Sequence, residues 1–257
     1  MKKILIVVVS FITVLYSCEK EYKVNHLIDG YYIGYMDYPE PVKPDPNTDN
    51  IVDLKYSGNH IIKRIGALFA ISPTSGYNYK YSEDFYNELT YTGNMISIVN
   101  KSSLVDYVVS PNERKIYLDN SGRMIQEVFS YYSTVYTIDY LYNMEGLLTK
   151  SITLRNVYLD EYSLFYYNSK NNLDSIVTNN ELDLYREVEI FSDYDNAPNP
   201  LKPLIIFRET FHRALSENNY RKYTMKKLNF RTELTEIYFK QWTLSYDNDG
   251  NCDFTKK

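Results

Sequence analysis

The feature that most constrains this chain is a repeat. An alternating segment ends in Tyr or Leu, a turn of Asn, Asp, Gly or Ser follows, and a second alternating segment leads away. Leu54-Lys-Tyr56 runs into Ser-Gly-Asn-His60, Leu89-Thr-Tyr91 into Thr-Gly-Asn94, and Ile116-Tyr-Leu118 into Asp-Asn-Ser-Gly-Arg123. Tyr140-Leu-Tyr142, Phe165-Tyr-Tyr167, Phe191-Ser-Asp-Tyr194 and Leu244-Ser-Tyr246 enter turns of the same kind. The residues before the turns are 56, 91, 118, 142, 167, 194 and 246, spaced 35, 27, 24, 25, 27 and 52 apart. The last gap is twice 26, and Leu215 to Tyr220 in its middle reads as one more polar turn. Eight hairpin units with a period near 25 are expected.

Inside the units the period is 2. Tyr136, Ile138, Tyr140 and Tyr142 share one face, with Thr137 and Asp139 on the other; Val188, Ile190 and Tyr194 oppose Glu187 and Glu189. This alternation marks half-buried antiparallel strands. Asn, Asp and Gly supply the positive φ that tight hairpins need. Tyrosine favours pleated, half-buried surface, and the chain holds 29 Tyr against 9 Gly and one Trp. The fold expected is all-β: an extended, curved antiparallel sheet of tandem hairpins in one domain, residues 51–257. Helical signal is thin. Pro73 to Tyr86 reads as a short turn or loop that lengthens the 35-residue spacing.

The amino end has a different pattern. Met1-Lys2-Lys3 precedes an apolar run from Ile4 to Tyr16, too short for a membrane span of about 20 residues but suited to a signal peptide. Leu15-Tyr16-Ser17-Cys18 resembles a lipobox, in which diacylglycerol is attached to the cysteine and the chain is cut before it. Residues 1–17 are thus expected to be a lipoprotein signal peptide, and Cys18 the lipidation site. Two acyl signals anchor durably where one binds marginally. Residues 18–50 read as a lipidated leader and tether, because Pro39, Pro41, Pro44 and Pro46 favour a semi-rigid extended spacer.

Tyr246-Asp-Asn-Asp-Gly-Asn251 resembles the core of a YD or RHS-type repeat. Phe191-Ser-Asp-Tyr-Asp-Asn-Ala-Pro-Asn-Pro-Leu-Lys202 and Ser216-Glu-Asn-Asn219 resemble segments of Bacteroidetes-type lipoproteins of unknown function. The resemblance implies a curved sheet of hairpins, porin-like in outline, at the outer membrane of the cell envelope, and it carries over no catalytic residue. Glu19-Lys20-Glu21 is similar to the charged signal that sends such lipoproteins to the cell surface.

Little in the sequence points to chemistry. His26, His60 and His212, the last in an expected strand, lack metal-ligand spacing. Asp247, Asp249 and Asp253 around Gly250 have oxygen ligands of the kind a Ca²⁺ loop uses, but they are also ordinary turn residues. The acid pairs Glu187/Glu189 and Asp160/Glu161 would serve a glycosidase if they faced each other across a cleft, and exposed strand faces carry such pairs anyway. Arg221, Lys222, Lys226, Lys227 and Arg231 read as a solvated sheet edge. With Cys18 lipidated, Cys252 has no disulfide partner, and an inert or exposed thiol is expected. No cofactor or metal is called for.

The chain carries a formal charge of −5, and loss of residues 1–17 removes two further positive charges. That disfavours nucleic acid, whose binding rests on Lys and Arg. The function expected is therefore a non-enzymatic, lipid-anchored envelope protein that binds a glycan or an envelope protein. Tyrosine rings stack on sugars, which is the ground for the glycan. Two alternatives stand beside it: a carbohydrate-active hydrolase, and a membrane-embedded β-barrel, against which Lys150 on a face with Leu148, Ile152 and Leu154 counts.

Overall fold

The computed structural model describes residues 27–36, 50–70, 79–104, 111–233 and 235–256. Residues 1–17, Cys18, Glu19 to Glu21, His26 and the four tether prolines lie outside them.

The described chain is all-β, with 61% of it in strands. Fourteen strands form one antiparallel meander in which each pairs only with its sequence neighbours. They are β1 (Gly30–Tyr32), β2 (Ile51–Ser57), β3 (His60–Ala70), β4 (Tyr79–Thr92), β5 (Met95–Ser102), β6 (Glu113–Leu118), β7 (Met124–Tyr131), β8 (Thr134–Tyr142), β9 (Leu148–Arg155), β10 (Tyr158–Tyr167), β11 (Leu173–Asn180), β12 (Tyr185–Tyr194), β13 (Tyr220–Asn229) and β14 (Thr235–Gln241). A separate two-stranded hairpin pairs β15 (Ser245–Tyr246) with β16 (Cys252–Asp253). β1 and β14 do not pair, so the sheet is not closed into a barrel.

The repeat has a local cause. Asp119, Asn143, Asn168 and Asp247 each open a turn in the same way: one side-chain oxygen accepts the backbone N–H groups two and four residues on. Gly122, Gly146, Asn171 and Gly250 then take the left-handed conformation, with φ from 58° to 83°. An Asx side chain and a residue tolerant of positive φ are the two things such a turn requires. The residue before the turn ties one hairpin to another. The hydroxyl of Tyr91 donates to the carbonyl of Ile61 at 3.0 Å, that of Tyr142 to Met124 at 2.8 Å, and that of Tyr194 to Leu173. Each carbonyl lies just past the preceding turn. The tyrosine content therefore has a structural use, since a buried phenol needs a partner for its O–H.

Four features differ from the sequence reading. Leu215 to Tyr220 is not a separate hairpin turn. Asp195 and Asn219 close a turn as Asp119 and Arg123 do, backbone N–H to carbonyl at 3.1 Å and N–H to carboxylate at 2.9 Å, but residues 196–218 are inserted between them. The polar turns of the repeat thus number seven among the described residues, with the β15–β16 hairpin, rather than eight. The insert folds into a 3₁₀ turn (Lys202–Leu204) and one helical turn, α1 (Phe211–Ala214), so His212 is helical rather than in a strand. Next, residues 27–36, read as leader, belong to the fold: β1 joins the sheet, and Tyr31, Ile33, Tyr35 and Met36 are buried in the core. Tyr79 to Tyr86, read as loop, is strand, while Pro73 lies outside the described residues. Finally, β13 pairs on both sides, so its basic residues do not form a sheet edge.

The sheet wraps around the insert. Leu201, Leu204, Ile206 and Phe207 are buried among strand side chains from both halves of the sheet. Arg64 of β3 and Tyr31 of β1 both bind Glu209, and Arg114 of β6 donates to the carbonyl of Ile206 at 3.2 Å. Phe211 packs on Tyr140 and Phe165. Arg213, 2% exposed, donates to the carbonyls of Tyr35 and Tyr220 and stacks on the rings of Tyr220 and Trp242. Two hydrogen bonds then latch the two ends of the described chain, Tyr32 backbone N–H to the carbonyl of Phe254 and the Trp242 indole Nε1–H to that of Gly34.

Candidate functional site

The insert covers only one end of the concave face, the end at the Asx turns. Beyond it lies a cavity of about 470 Å³. Its floor comes from β8 to β12 and its wall from Ile205, Ile206, Arg208, Phe211 and His212 of the insert. Volumes of roughly 300–1,000 Å³ are usual for small-molecule sites.

The floor follows from strand register. Tyr140, Ser151, Ser163, Thr178 and Glu187 are successive cross-strand partners, as are Ile138, Thr153, Glu161, Asn180 and Tyr185. Two adjacent rows of one face are thus mainly polar. Ser163 and Thr178 bond to each other at 2.7 Å, and Tyr185 donates to Glu161 at 3.3 Å. Register shifts set which residues arrive there. One between Leu141 and Tyr142 turns Leu148 inward and leaves Lys150 on the convex face with Ile152 and Leu154. The irregularity at Asp193, φ 60°, lets Phe191 and Tyr194 both point inward. On β12 it is therefore Glu187 and Glu189 that face the interior, with Val188 and Ile190 outside. That reverses the expectation of acids on an exposed face.

At the mouth, four side chains stack in a column. Phe129 and Tyr136 lie face to face, centroids 5.0 Å apart and planes 5° from parallel. Arg208 covers the Phe129 ring at 4.2 Å, and Arg155 lies 5.8 Å from that of Tyr136. Such cation–π contacts contribute about 0.5–2 kcal/mol each. Both arginines are also ion-paired, Arg208 with Glu127 at 3.0 Å and Arg155 with Asp160 at 2.9 Å. The aromatic faces at the mouth are thus already occupied, and stacking on a sugar is not what this cavity offers. Hydroxyls, an amide and carboxyls are.

The carboxyls sit in unlike environments. Burial would raise Glu127, but Arg114 and Arg208 outweigh it and hold the group below its ordinary value. Glu189, 6% exposed, is likewise held down against burial by His212 at 3.4 Å and the Tyr223 hydroxyl at 2.7 Å. Glu161 is pushed up by burial. Glu187 is pushed up to about 7 by burial and by the charge on Glu189.

Of the residues singled out from sequence, the structure gathers Asp160, Glu161, Glu189 and His212 around this cavity, with Glu187 at its edge. It does not gather the others. His60 packs on Tyr91, and Asp247 caps its own turn. Asp253 binds Thr255 and Lys256. Cys252 is buried, and burial pushes its thiol up to about 12, so it is inert as a nucleophile. Arg221 and Lys222 turn to Asp193, whereas Lys227 lies over the Tyr185 ring at 4.0 Å. Among the described residues no helix is long and apolar enough to cross a membrane, and no group of three or more His, Cys, Asp or Glu could hold a metal. Arg155, Arg208, Ser151, Ser163 and Thr178 went unremarked in the sequence, where nothing distinguishes them from ordinary strand residues.

Fold and site together define an open all-β meander that encloses its own insert and a polar cavity. The chain matches no protein-family model and no curated protein.

Proposed function

We propose that this protein is a lipid-anchored cell-envelope lipoprotein that binds a hydroxyl-rich ligand, a glycan, in its concave cavity without turning it over. The polar floor is the observation that carries this reading. On β9, β10 and β11 the inward side chains change from Leu148, Phe165 and Ile176 to Ser151, Ser163 and Thr178 within one turn of the pleat. Ser151 is buried with no hydrogen-bond partner for its hydroxyl among the described residues, which costs stability that valine there would not. Ser163 and Thr178 are half-buried and bond to each other. A ligand supplies what the fold omits. Cys18 supports the anchor, with residues 19–26 joining it to the fold, and Glu19-Lys20-Glu21 supports display at the outer-membrane surface.

Glycan-array screening and calorimetry of the full-length protein in detergent test the binding. A bound oligosaccharide is expected, lost in Ser163→Leu, which fills the cavity, and kept in Lys226→Ala on the convex face. Uniformly blank arrays would end the glycan reading. The anchor is tested separately, by incorporation of labelled palmitate that Cys18→Ser abolishes.

A second reading, a glycan hydrolase, is favoured by one observation. Glu161, raised, and Glu189, lowered, face one cavity, and carboxyls pushed apart in this way divide acid and base roles. Release of new reducing ends from the bound oligosaccharide would establish it; none is expected from a binding protein.

A further inference from the structure

We propose that the convex face of β9–β14 docks on the headgroup layer of a bilayer carrying anionic lipid, and so holds the anchored protein on its side. The face follows from register. Lys150, Leu164, Val177, Val188, Lys226 and Ile237 are successive cross-strand partners from β9 to β14. Tyr166, Ser175, Ile190, Thr224 and Phe239 form the row on one side of them. Tyr162, Asn179, Arg186 and Leu228 form the row on the other. Partners of this kind share one face of a sheet, and Lys150, Val188 and Ile190 put it outside.

The solvent side of an antiparallel sheet is ordinarily polar. Here it is apolar and basic. Ile237 is 68% exposed and Phe239 56%, with Tyr166 and Leu228 exposed beside them. The rows hold the cations Lys150, Arg186 and Lys226 and no Asp or Glu. None of the three has an ion pair among the described residues, and Lys150 lies over the Tyr162 ring. Carboxyls return at the border: Asp139 on β8, Asp174 and Asp193 toward the Asx turns, and Glu181, Asp183 and Glu233 at the opposite hairpin tips.

The convex face of β2–β6 is built otherwise. There Lys55 pairs with Asp53, Lys101 with Glu88 and Lys115 with Glu113. Opposite charges cancel, as on an ordinary solvated surface. In a chain of formal charge −5, a face with cations alone calls for an anionic partner.

That this partner is a bilayer rests on Cys18 as the lipidation site. Cys18 lies nine residues before Leu27, so the link between them spans at most about 30 Å. It enters the fold at β1, one end of the sheet, and β14, the other end, is latched close by, Lys240 Nζ to the carbonyl of Met36 at 3.3 Å. The anchor thus arrives beside β14, and six strands are about 24 Å wide, within its reach. Apolar side chains enter the interface while ammonium and guanidinium groups meet phosphates. Lys150, costly in the middle of a bilayer, suits its headgroups. The cavity lies on the concave side of the same strands and stays open to its ligand.

Bromine quenching on proteoliposomes tests the face with the lipidated full-length protein. The chain has one Trp, the half-buried Trp242, so an added Trp is read above it. Vesicles combine dibrominated phosphatidylcholine with phosphatidylglycerol. The added Trp of Ile237→Trp and of Tyr166→Trp should be quenched about threefold more than that of Tyr117→Trp, on the convex face of β6. Lys150→Glu with Lys226→Glu, or omission of phosphatidylglycerol, should remove the difference. Equal quenching at the three positions, or none, overturns the proposal. Quenching that survives the charge reversal overturns the assignment to anionic lipid. Ile237→Trp protected from acrylamide without bromine quenching, with a dimer in sedimentation, would give the face to a second copy instead. The anchor fails separately: labelled palmitate reports acylation of Cys18, whereas bromine reports contact by the face however the chain is held at the vesicle.

Discussion

The two ends of the same strands are built differently. At the Asx turns, Leu148, Phe165, Leu173 and Phe191 face inward and meet the insert, and tyrosine hydroxyls tie hairpin to hairpin. Toward the opposite end, the same strands present Ser151, Ser163, Thr178 and Glu189 to a cavity, with Glu187 next to Thr178 in its row. The change occurs at one level across four strands, so it is a property of the sheet and not of one residue. It separates two tasks along the strand axis. Apolar burial of about 25 cal/mol per Å² holds one end together, and the other is left to meet a ligand.

The largest effect that would break this comparison lies at the packed end. Arg213→Ala removes a buried guanidinium that holds the carbonyls of Tyr35 and Tyr220 and fills the space between Tyr220 and Trp242. The expected loss is about 3–5 kcal/mol of stability, read by chemical denaturation. A loss under about 1 kcal/mol would mean that the insert is not the hub of the fold.

The cavity end should show itself through pH. Glu187 has its folded value raised from 4.5 to about 7. The folded protein therefore holds this proton more tightly than the unfolded chain. The associated stability is present in full below pH 4.5 and is lost as pH rises toward 7. Glu187→Gln removes that dependence. Between pH 5 and 8 the variant should gain on the parent by the order of 1–3 kcal/mol, a partly buried group keeping less than the full shift. A parent whose stability stays as flat over this interval as the variant's would mean that a positive charge of the fold already pairs with Glu187.

The turns were legible because their chemistry is local. Asx, Gly and the preceding Tyr lie within five residues of one another, and the hydrogen bonds that need them join near neighbours. The insert is hidden in the sequence because Leu215 to Tyr220 satisfies the same local pattern, and the doubled spacing equals two periods. A signal was there: Pro198, Pro200 and Pro203 stand where a ladder strand would have to run, and proline cannot donate to a ladder. On sequence alone Glu187 and Glu189 fall on the solvent face, because their apolar neighbours alternate so cleanly. Which face is inside depends on the irregularity at Asp193 and on His212 arriving from the insert, neither of which a strand's own sequence contains. The cavity was out of reach for the same reason, since it is made by register across five strands.

Two small substitutions sharpen the comparison furthest. Tyr142→Phe removes a hydroxyl that donates to the Met124 carbonyl between hairpins, and about 1 kcal/mol should be lost, a fall of roughly 2–4 °C in Tm. Ser163→Ala also removes one hydrogen bond, to Thr178 at 2.7 Å. Thr178, however, faces a cavity that water enters, so its freed hydroxyl is solvated again and the loss should stay within about 0.5 kcal/mol. Oligosaccharide binding should respond in the opposite order, weakened by Ser163→Ala and untouched by Tyr142→Phe. Equal stability losses in the two variants would make the polar rows part of the core, and the division between the two ends of the strands would disappear.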